Sequence, residues 1–215
     1  MAISNLTKGA ALLGGAGSAV GGYSLFNHLS SSPKQEKAIT SIEDKLNNEG
    51  YTLLNFENTS GEGWNKIKDA YGKESDDSKR FSGVNKSGDG TLDGIKNSCL
   101  KYLKGDATDE SGYKLSRRWC IVPVSVKSRL GESALLKTDN SDSGDNGNWD
   151  KLVSKNESEG ANKFVTFTSS ADTNKKREEI KKQCETKAAV ETTDATFDET
   201  LKSVSLWCTS EAATK

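Results

Sequence analysis

Histidine is almost absent from this chain of 215 residues, which contains a single one, His28. His28 lies beside an uncharged N-terminal stretch, so the rest of the chain cannot form a Ser-His-Asp or Cys-His catalytic group. Histidine-ligated zinc or iron is excluded there for the same reason. These absences predict a protein that is not an enzyme and that holds neither a cofactor nor a metal ion.

The chain also lacks a phosphate-binding loop and an excess of charge of either sign. No G-x-x-x-x-G-K-[ST] segment occurs, so nothing in the sequence supports nucleotide chemistry. Lys and Arg number 30 against 31 Asp and Glu, and the resulting net charge of −1 gives no steering toward polyanions. We therefore expect no nucleic-acid partner.

Large apolar residues are scarce. Hydrophobic residues make up 33% of the chain, and the 20 glycines bring the apolar share only to about 42%, below the roughly 45–50% usual in globular proteins. A thin core offsets little of the conformational entropy lost on folding. Disulfide bonds between the four cysteines are the expected compensation, as in small secreted domains.

One uncharged run stands out, the eighteen residues from Gly9 to Phe26. Its length is close to the roughly 20 residues that a membrane-spanning helix needs. Lys8 precedes it, which predicts a cytoplasmic N-terminus. We predict a single-pass anchor in residues 1–30, contacting the cell membrane through residues 9–26, with the C-terminal domain extracellular. The alternatives are a cleaved signal peptide and a Gly-rich leader.

The remaining chain repeats itself. Tryptophan and cysteine each occur four times, and they recur 85 positions apart (64 to 149 and 99 to 184) or 88 positions apart (119 to 207 and 120 to 208). A tandem duplication accounts for such spacing better than coincidence does. We predict a helix in residues 31–49, repeat unit 1 in 50–122, a hinge in 123–129, repeat unit 2 in 130–208 and a tail in 209–215. The recurring residues are Trp64 and Trp149, Cys99 and Cys184, Trp119 and Trp207, and Cys120 and Cys208.

The expected fold is mainly α, with α+β as the alternative: a membrane helix followed by two small, duplicated, disulfide-stapled helical units. Ser32 and Pro33 are typical of a helix start, and Gly50 of a helix end. In each unit we expect a helix at the first Trp, a polar loop, a helix carrying the first Cys, and an extended segment reaching Trp-Cys. Residues 118–126 are the best strand candidate.

Four cysteines allow three pairings, and the duplication favours Cys99 with Cys120 and Cys184 with Cys208. The alternatives are reduced thiols and a Cys₄ zinc site, although no C-x₂₋₄-C pair is present. With so few large apolar residues, the tryptophans are expected in the core, two of them over the disulfides, rather than on an exposed ligand platform. The residues expected in the core are Trp64, Trp119, Trp149 and Trp207.

Two loops have spacings that are similar to calcium-binding EF-hand loops. In the first, which contains Asp89 and Gly90, Lys96 stands where a bidentate Glu is required. We therefore interpret both loops as polar turns that cap the following helix. The second loop has its oxygen-bearing side chains at Asp139, Ser141, Ser143, Asp145 and Asp150.

Several segments together resemble large paralogous families of short, uncharacterised proteins in haemotrophic mycoplasmas. They are a Gly/Ala-rich N-terminus, Glu49-Gly50-Tyr51-Thr52-Leu53-Leu54, Arg117-Arg118-Trp119-Cys120-Ile121-Val122-Pro123-Val124 and Leu206-Trp207-Cys208-Thr209. The resemblance implies a surface-displayed antigen or host-cell binding protein with host-cell or immune partners, and it brings no catalytic residues. Residues 73–89 and 138–148 would be its variable loops. The rival hypotheses are a carboxylate-dependent hydrolase acting on host glycans and a cytosolic scaffold. The oligomeric state is not evident from the sequence.

Overall fold

The computed structural model describes residues 38–160, 163–168 and 172–215, which are mainly helical. The predicted anchor in residues 1–30 and the predicted helix start at Ser32 and Pro33 lie outside these residues. In the part of the chain that is described, no helix is both long and apolar enough to cross a membrane.

The described ranges contain eight α-helices and two short 3₁₀ turns, at Asp77–Lys79 and Glu132–Ala134. The first four α-helices form one set and the last four form another. In chain order the helices are α1 (Ile42–Asn48), α2 (Glu62–Lys73), α3 (Thr91–Tyr102), α4 (Glu110–Trp119), α5 (Val126–Leu130), α6 (Asn146–Ser158), α7 (Thr173–Ala188) and α8 (Phe197–Trp207).

Equivalent backbone hydrogen bonds close each set of four helices. Leu54 N–H donates to the Cys120 carbonyl at 3.0 Å, and Leu136 N–H donates to the Cys208 carbonyl at 2.9 Å. The segment before the first helix forms a second bridge in each set, Ser41 with Asp106 and Ser125 with Glu191. The duplication read from Trp and Cys spacing therefore extends to the backbone.

The first helix of each set begins at an equivalent serine cap. The hydroxyl of Ser41 accepts from Asp44 N–H at 3.1 Å, and that of Ser125 accepts from Ser128 N–H at 3.1 Å. Such a cap satisfies a backbone donor that has no partner within the helix. Repeat 1 therefore begins at Ser41 and repeat 2 at Ser125.

The structure differs from the predicted domain bounds at three places. Of the predicted segment 31–49, the described residues include α1, which buries Ile42 and Leu46 in the core of unit 1. Within the predicted hinge 123–129, residues 126–129 lie in α5, and Val126 N–H donates to the Val190 carbonyl at 2.8 Å. The predicted tail also belongs to the fold, since Ala212 and Ala213 are buried in the second core. Gly50 ends α1 as predicted, with a positive φ of 80°.

The segments that lead to Trp-Cys are helical, not extended. Asp109 caps α4 by accepting from Gly112 N–H at 2.9 Å, and Tyr113, Ser116 and Trp119 are then buried at helical spacing. The strand predicted in residues 118–126 is wrong, because the described residues there form only isolated bridges. Within the described ranges, backbone pairing of the β type is confined to four such bridges, so the fold is mainly α.

Each repeat has its own hydrophobic core, and all four tryptophans are buried, at 8% exposure or less. The indole N–H of Trp64 donates to the Asn55 carbonyl at 2.8 Å, and that of Trp149 donates to the Lys137 carbonyl at 3.0 Å. Trp119 packs edge-on against Tyr71, with ring centroids 4.9 Å apart. The tryptophans therefore form cores and not an exposed platform.

Two disulfide bonds connect the third helix of each repeat to the residue after its fourth helix. Cys99 is bonded to Cys120 and Cys184 to Cys208, with Cα separations of 5.4 and 5.6 Å. These are the pairings predicted from the repeat, and no free cysteine remains to form a zinc site or reduced thiols. Loops of 21 and 24 residues correspond to about 3 kcal/mol of stabilisation each in the chain-entropy model.

Candidate functional site

In both repeats, a side chain on the second helix holds the backbone of the loop that follows it. The hydroxyl of Tyr71 accepts from Phe81 N–H at 2.9 Å and donates to the Phe81 carbonyl at 3.4 Å. The amide of Asn156 does the same with the N–H and carbonyl of Val165, at 3.0 and 2.8 Å. We call these contacts the loop clamps. Each clamp fixes one loop residue to the second helix of its own repeat.

The residue immediately before each clamped residue differs between the repeats. In repeat 2 it is Phe164, whose ring stacks on Trp207 with centroids 5.6 Å apart. In repeat 1 it is Arg80, whose guanidinium carbon lies 5.9 Å from the centroid of the Tyr71 ring. The residue before the clamped residue is therefore a stacked aromatic side chain in repeat 2 and a cationic side chain in repeat 1.

The clamped loop of repeat 1 surrounds an open cavity of about 670 Å³. Asp77 and residues 80–87 line it, and we call this cavity the loop bowl. Gly83 has a φ of 77°, a conformation that favours glycine, and it lets the loop turn back across the clamp. The size lies within the range of about 300–1,000 Å³ typical of small-molecule sites.

The guanidinium of Arg80 is only partly used inside the loop bowl. Its Nη2 donates to Asp77 Oδ1, whereas its Nε is buried and has no hydrogen-bond partner. The Arg80 side chain is 12% exposed and that of Asp77 is 87% exposed. Because buried donors in native proteins are nearly always paired, an unpaired guanidinium nitrogen beside a cavity marks this loop as a candidate binding site.

A second cavity of about 220 Å³ lies between α4 and residues 192–198 of repeat 2, and we call it the inter-repeat cleft. Its arginines already have partners within the protein. Arg118 donates to the Thr193 carbonyl at 2.7 Å and to Glu74 at 2.5 Å, and Arg117 donates to Asp198. Burial tends to raise the pKa of Glu74, but hydrogen bonds from Asp76 N–H and Arg118 lower it overall. These charges connect the repeats.

Arg129 makes a further connection between the repeats. Its Nη1 donates to the Glu49 carbonyl at 2.6 Å, and its guanidinium carbon lies 4.4 Å from the centroid of the Tyr51 ring. The Glu49 carboxylate accepts from the hydroxyl of Tyr113. Burial, and then this hydrogen bond, raise the pKa of Tyr113, so its hydroxyl stays protonated at neutral pH. These polar contacts link two repeats whose hydrophobic cores are separate.

In the second EF-hand-like loop, residues 139–150, the carboxylates form turns and ion pairs. Asp139 accepts from both the N–H and the hydroxyl of Ser141 at 2.8 Å, and these bonds lower the pKa of Asp139. Asp150 accepts from Arg177. Among the described residues, no group of three or more His, Cys, Asp or Glu side chains is arranged to hold a metal ion. The carboxylates at Asp139 and Asp142 do form turns, but the predicted caps are wrong, because α6 begins after Asp145 and α3 begins after Gly90 without a side-chain cap hydrogen bond.

The structure brings the predicted cysteines together in pairs and places the predicted tryptophans in the two cores. Sequence reasoning missed Arg80 and the loop clamps. Tyr71 and Asn156 are 85 positions apart, the spacing of the repeat, but their side chains differ in type, so no identity marks them. No protein-family model, curated protein or solved structure matches this chain. Its function is therefore argued from its own residues.

Proposed function

We propose that this protein is a non-catalytic binding or antigenic module that displays its C-terminal domain outside the cell. Residues 9–26 would hold it in the membrane, and its partner would be a host cell or an immune molecule. The observation that carries the proposal is the contrast between a framework built twice on the same plan and a clamped loop whose chemistry differs between the two copies. A scaffold that keeps its frame and varies its loops suits binding, because loops tolerate change better than packed elements do.

The disulfides support an external location. Each bond is buried in its core and staples a repeat with few large apolar residues. Disulfides persist in oxidising compartments, whereas cytosolic reductants keep thiols reduced. This chemistry favours a displayed domain over the rival cytosolic scaffold.

Protease treatment of intact cells tests display directly. In cells that produce the full chain, proteinase K added outside should remove the C-terminal domain while a cytoplasmic marker protein stays whole. A variant that lacks residues 9–26 is the matched control and should lose its membrane attachment. Protection of the domain in intact cells, followed by its digestion after lysis, would reject display.

Cell binding tests the second half of the proposal. The resemblance to proteins of haemotrophic mycoplasmas makes red blood cells the first cell type to examine. The full chain in detergent micelles should bind them, and replacing residues 82–87 by a Gly/Ser segment of equal length should reduce binding without unfolding the repeats. Equal binding by parent and variant would show that this loop is not the contact surface.

A further inference from the structure

We infer that the loop bowl of repeat 1 is a site for a small molecule that carries a carboxylate, recognised by Arg80. The inference rests on the proposed binding function and names the ligand class. The cavity has a volume of about 670 Å³, and Arg80 lies in its wall. The Nη2 of Arg80 has a hydrogen-bond acceptor, and its Nε has none.

The hydrogen-bond geometry of arginine selects a carboxylate. The Nε and Nη2 groups of a guanidinium point in parallel and match the two oxygens of one carboxylate, which gives a bidentate pair. In Arg80 only Nη2 has an acceptor, Asp77, and Nε has none. Asp77 therefore occupies half of a fork that one ligand carboxylate would fill completely.

Asp77 is a replaceable partner. Its side chain is 87% exposed, so water competes for the Asp77 carboxylate, although the Arg80 side chain is only 12% exposed. Nε is buried while Arg80 is paired with Asp77, so a ligand in the loop bowl would have to turn Asp77 outward into solvent and uncover Nε before it could accept from both Nε and Nη2. Binding thus exchanges a weak contact for two charge-assisted hydrogen bonds.

Repeat 2 provides the contrast within the same molecule. Arg177 donates to Asp150 Oδ1 from both Nε, at 3.0 Å, and Nη2, at 2.7 Å, so its fork is already filled. The position equivalent to Arg80 holds Phe164, stacked on Trp207. Repeat 2 therefore offers no equivalent open fork in its described residues, and the site belongs to repeat 1.

The remaining wall of the loop bowl suits a ligand of sugar-acid size. Ser82, Asn85 and Ser87 are exposed and line the cavity, and they can form hydrogen bonds with hydroxyl groups. Lys86 is also exposed in this wall and adds a positive charge. Glucuronate and glucose are matched probes, because they share the pyranose ring and hydroxyls and differ at the carboxylate.

The test is calorimetric titration of the full chain in detergent micelles at pH 7. Glucuronate should bind, and glucose should not. Arg80→Lys keeps the charge but removes the fork, so we expect it to weaken glucuronate binding about tenfold. Arg177→Lys, in the filled fork of repeat 2, is the matched control and should leave binding unchanged.

A second variant has the opposite expected sign and does not disturb the core. Asp77→Ala removes the internal competitor, so glucuronate should bind more tightly, by about threefold to tenfold. Glu62→Ala is its control, because Glu62 is also 87% exposed and carries the same charge but does not line the loop bowl. A purely long-range charge effect would appear in both variants, and tightening in both would reject the competitor role.

Several outcomes would overturn the inference. Equal binding of glucose and glucuronate, stronger binding of sulfate than of glucuronate, or parental affinity in Arg80→Lys would each reject a carboxylate fork. Arg80 lies against the Tyr71 ring, so near-ultraviolet circular dichroism should accompany each titration, and Asp77→Ala decides the case if Arg80→Lys is misfolded.

Loss of glucuronate binding with red-cell binding intact rejects only this site. Protection from external protease with glucuronate binding intact rejects only display.

Discussion

Repeat 1 and repeat 2 share the positions of their disulfide bonds and backbone bridges, and they differ in the residues of their clamped loops. Both have a buried disulfide between the third helix and the end of the fourth, and both close with the same backbone bridges. Their clamped loops carry different chemistry, with Arg80 in one and Phe164 in the other. The disulfide and backbone bonding pattern is therefore the same in both repeats, whereas the side chains of the clamped loops can differ.

The loop clamps show that geometry can be kept while residue identity changes. A tyrosine hydroxyl and an asparagine amide differ in size and shape, yet each both donates to and accepts from one loop residue. A hydroxyl and an amide can each serve as donor and acceptor, so either satisfies a buried N–H and C=O. Because an asparagine side chain is shorter than a tyrosine side chain, the second helix must approach the clamped residue more closely in repeat 2 than in repeat 1.

The largest expected difference between the repeats is at the tryptophans next to the disulfides. Trp119 is 0% exposed and donates to the Lys79 carbonyl at 2.8 Å, whereas Trp207 is 8% exposed. Trp119→Ala should lower the free energy of unfolding by about 3–5 kcal/mol, and Trp207→Ala by an amount at the lower end of that range. Urea denaturation followed by far-ultraviolet circular dichroism measures both. A larger loss at Trp207 would contradict the assigned cores.

Removal of either disulfide should cost nearly the same. The closed loops differ by only three residues, 21 against 24, so the chain-entropy model gives about 3 kcal/mol for each bond. Replacing both cysteines of one bond by serine, first in repeat 1 and then in repeat 2, tests this in the same urea experiment. A difference of more than about 2 kcal/mol would mean that one bond supports the whole domain rather than its own repeat.

The loop clamps should have intermediate effects. Tyr71→Phe removes one hydroxyl and leaves the Phe81 N–H without its acceptor, whereas the Phe81 carbonyl still accepts from Val84 N–H at 3.2 Å. Asn156→Ala removes the side-chain partner of both the N–H and the carbonyl of Val165. Each should destabilise the protein by about 1–3 kcal/mol. Amide hydrogen exchange is the local readout, and it should accelerate at Phe81 in the first variant and at Val165 in the second. Unchanged exchange at those amides would show that the clamps do not hold the loops.

The smallest effect is expected at the ion pairs between the repeats. Lys66 lies 2.8 Å from Glu191, with side chains 44% and 31% exposed. Lys66→Met should lower the free energy of unfolding by less than about 1 kcal/mol, and by less still in 1 M salt. Lys127→Met, which removes a 3.3 Å pair within repeat 2, is the matched control. A loss of several kcal/mol that persists in high salt would indicate a cooperative, buried interface.

The sequence revealed those parts of the fold that depend on rare residues. Cys and Trp are scarce enough for equal spacing to be informative, and that spacing predicted the disulfide pairs that the structure forms. The boundaries were harder, because α5 is only five residues long and follows Pro123, which suggests a linker. Helices as short as α1 and α5 owe their stability to tertiary packing rather than to local propensity, and packing is not visible in sequence.

The candidate site could not be predicted from the sequence. Arg80 is one of 30 basic residues, and nothing in its neighbours marks it. Its significance depends on a buried Nε without a partner, on the cavity beside it and on the clamp that positions the loop. The residues involved are close in sequence, but all three features depend on the three-dimensional course of the loop backbone, which the residue pattern does not reveal.

Peptide mapping without reductant tests the central claim, that the domain consists of two repeats that each close their own disulfide. Tryptic cleavage would place the four cysteines in four different peptides, 97–101, 119–127, 183–187 and 203–215. We predict that peptide 97–101 is linked to 119–127 and peptide 183–187 to 203–215. Recovery of 97–101 linked to 183–187 or to 203–215 would show that the repeats are interlocked, and it would contradict the account.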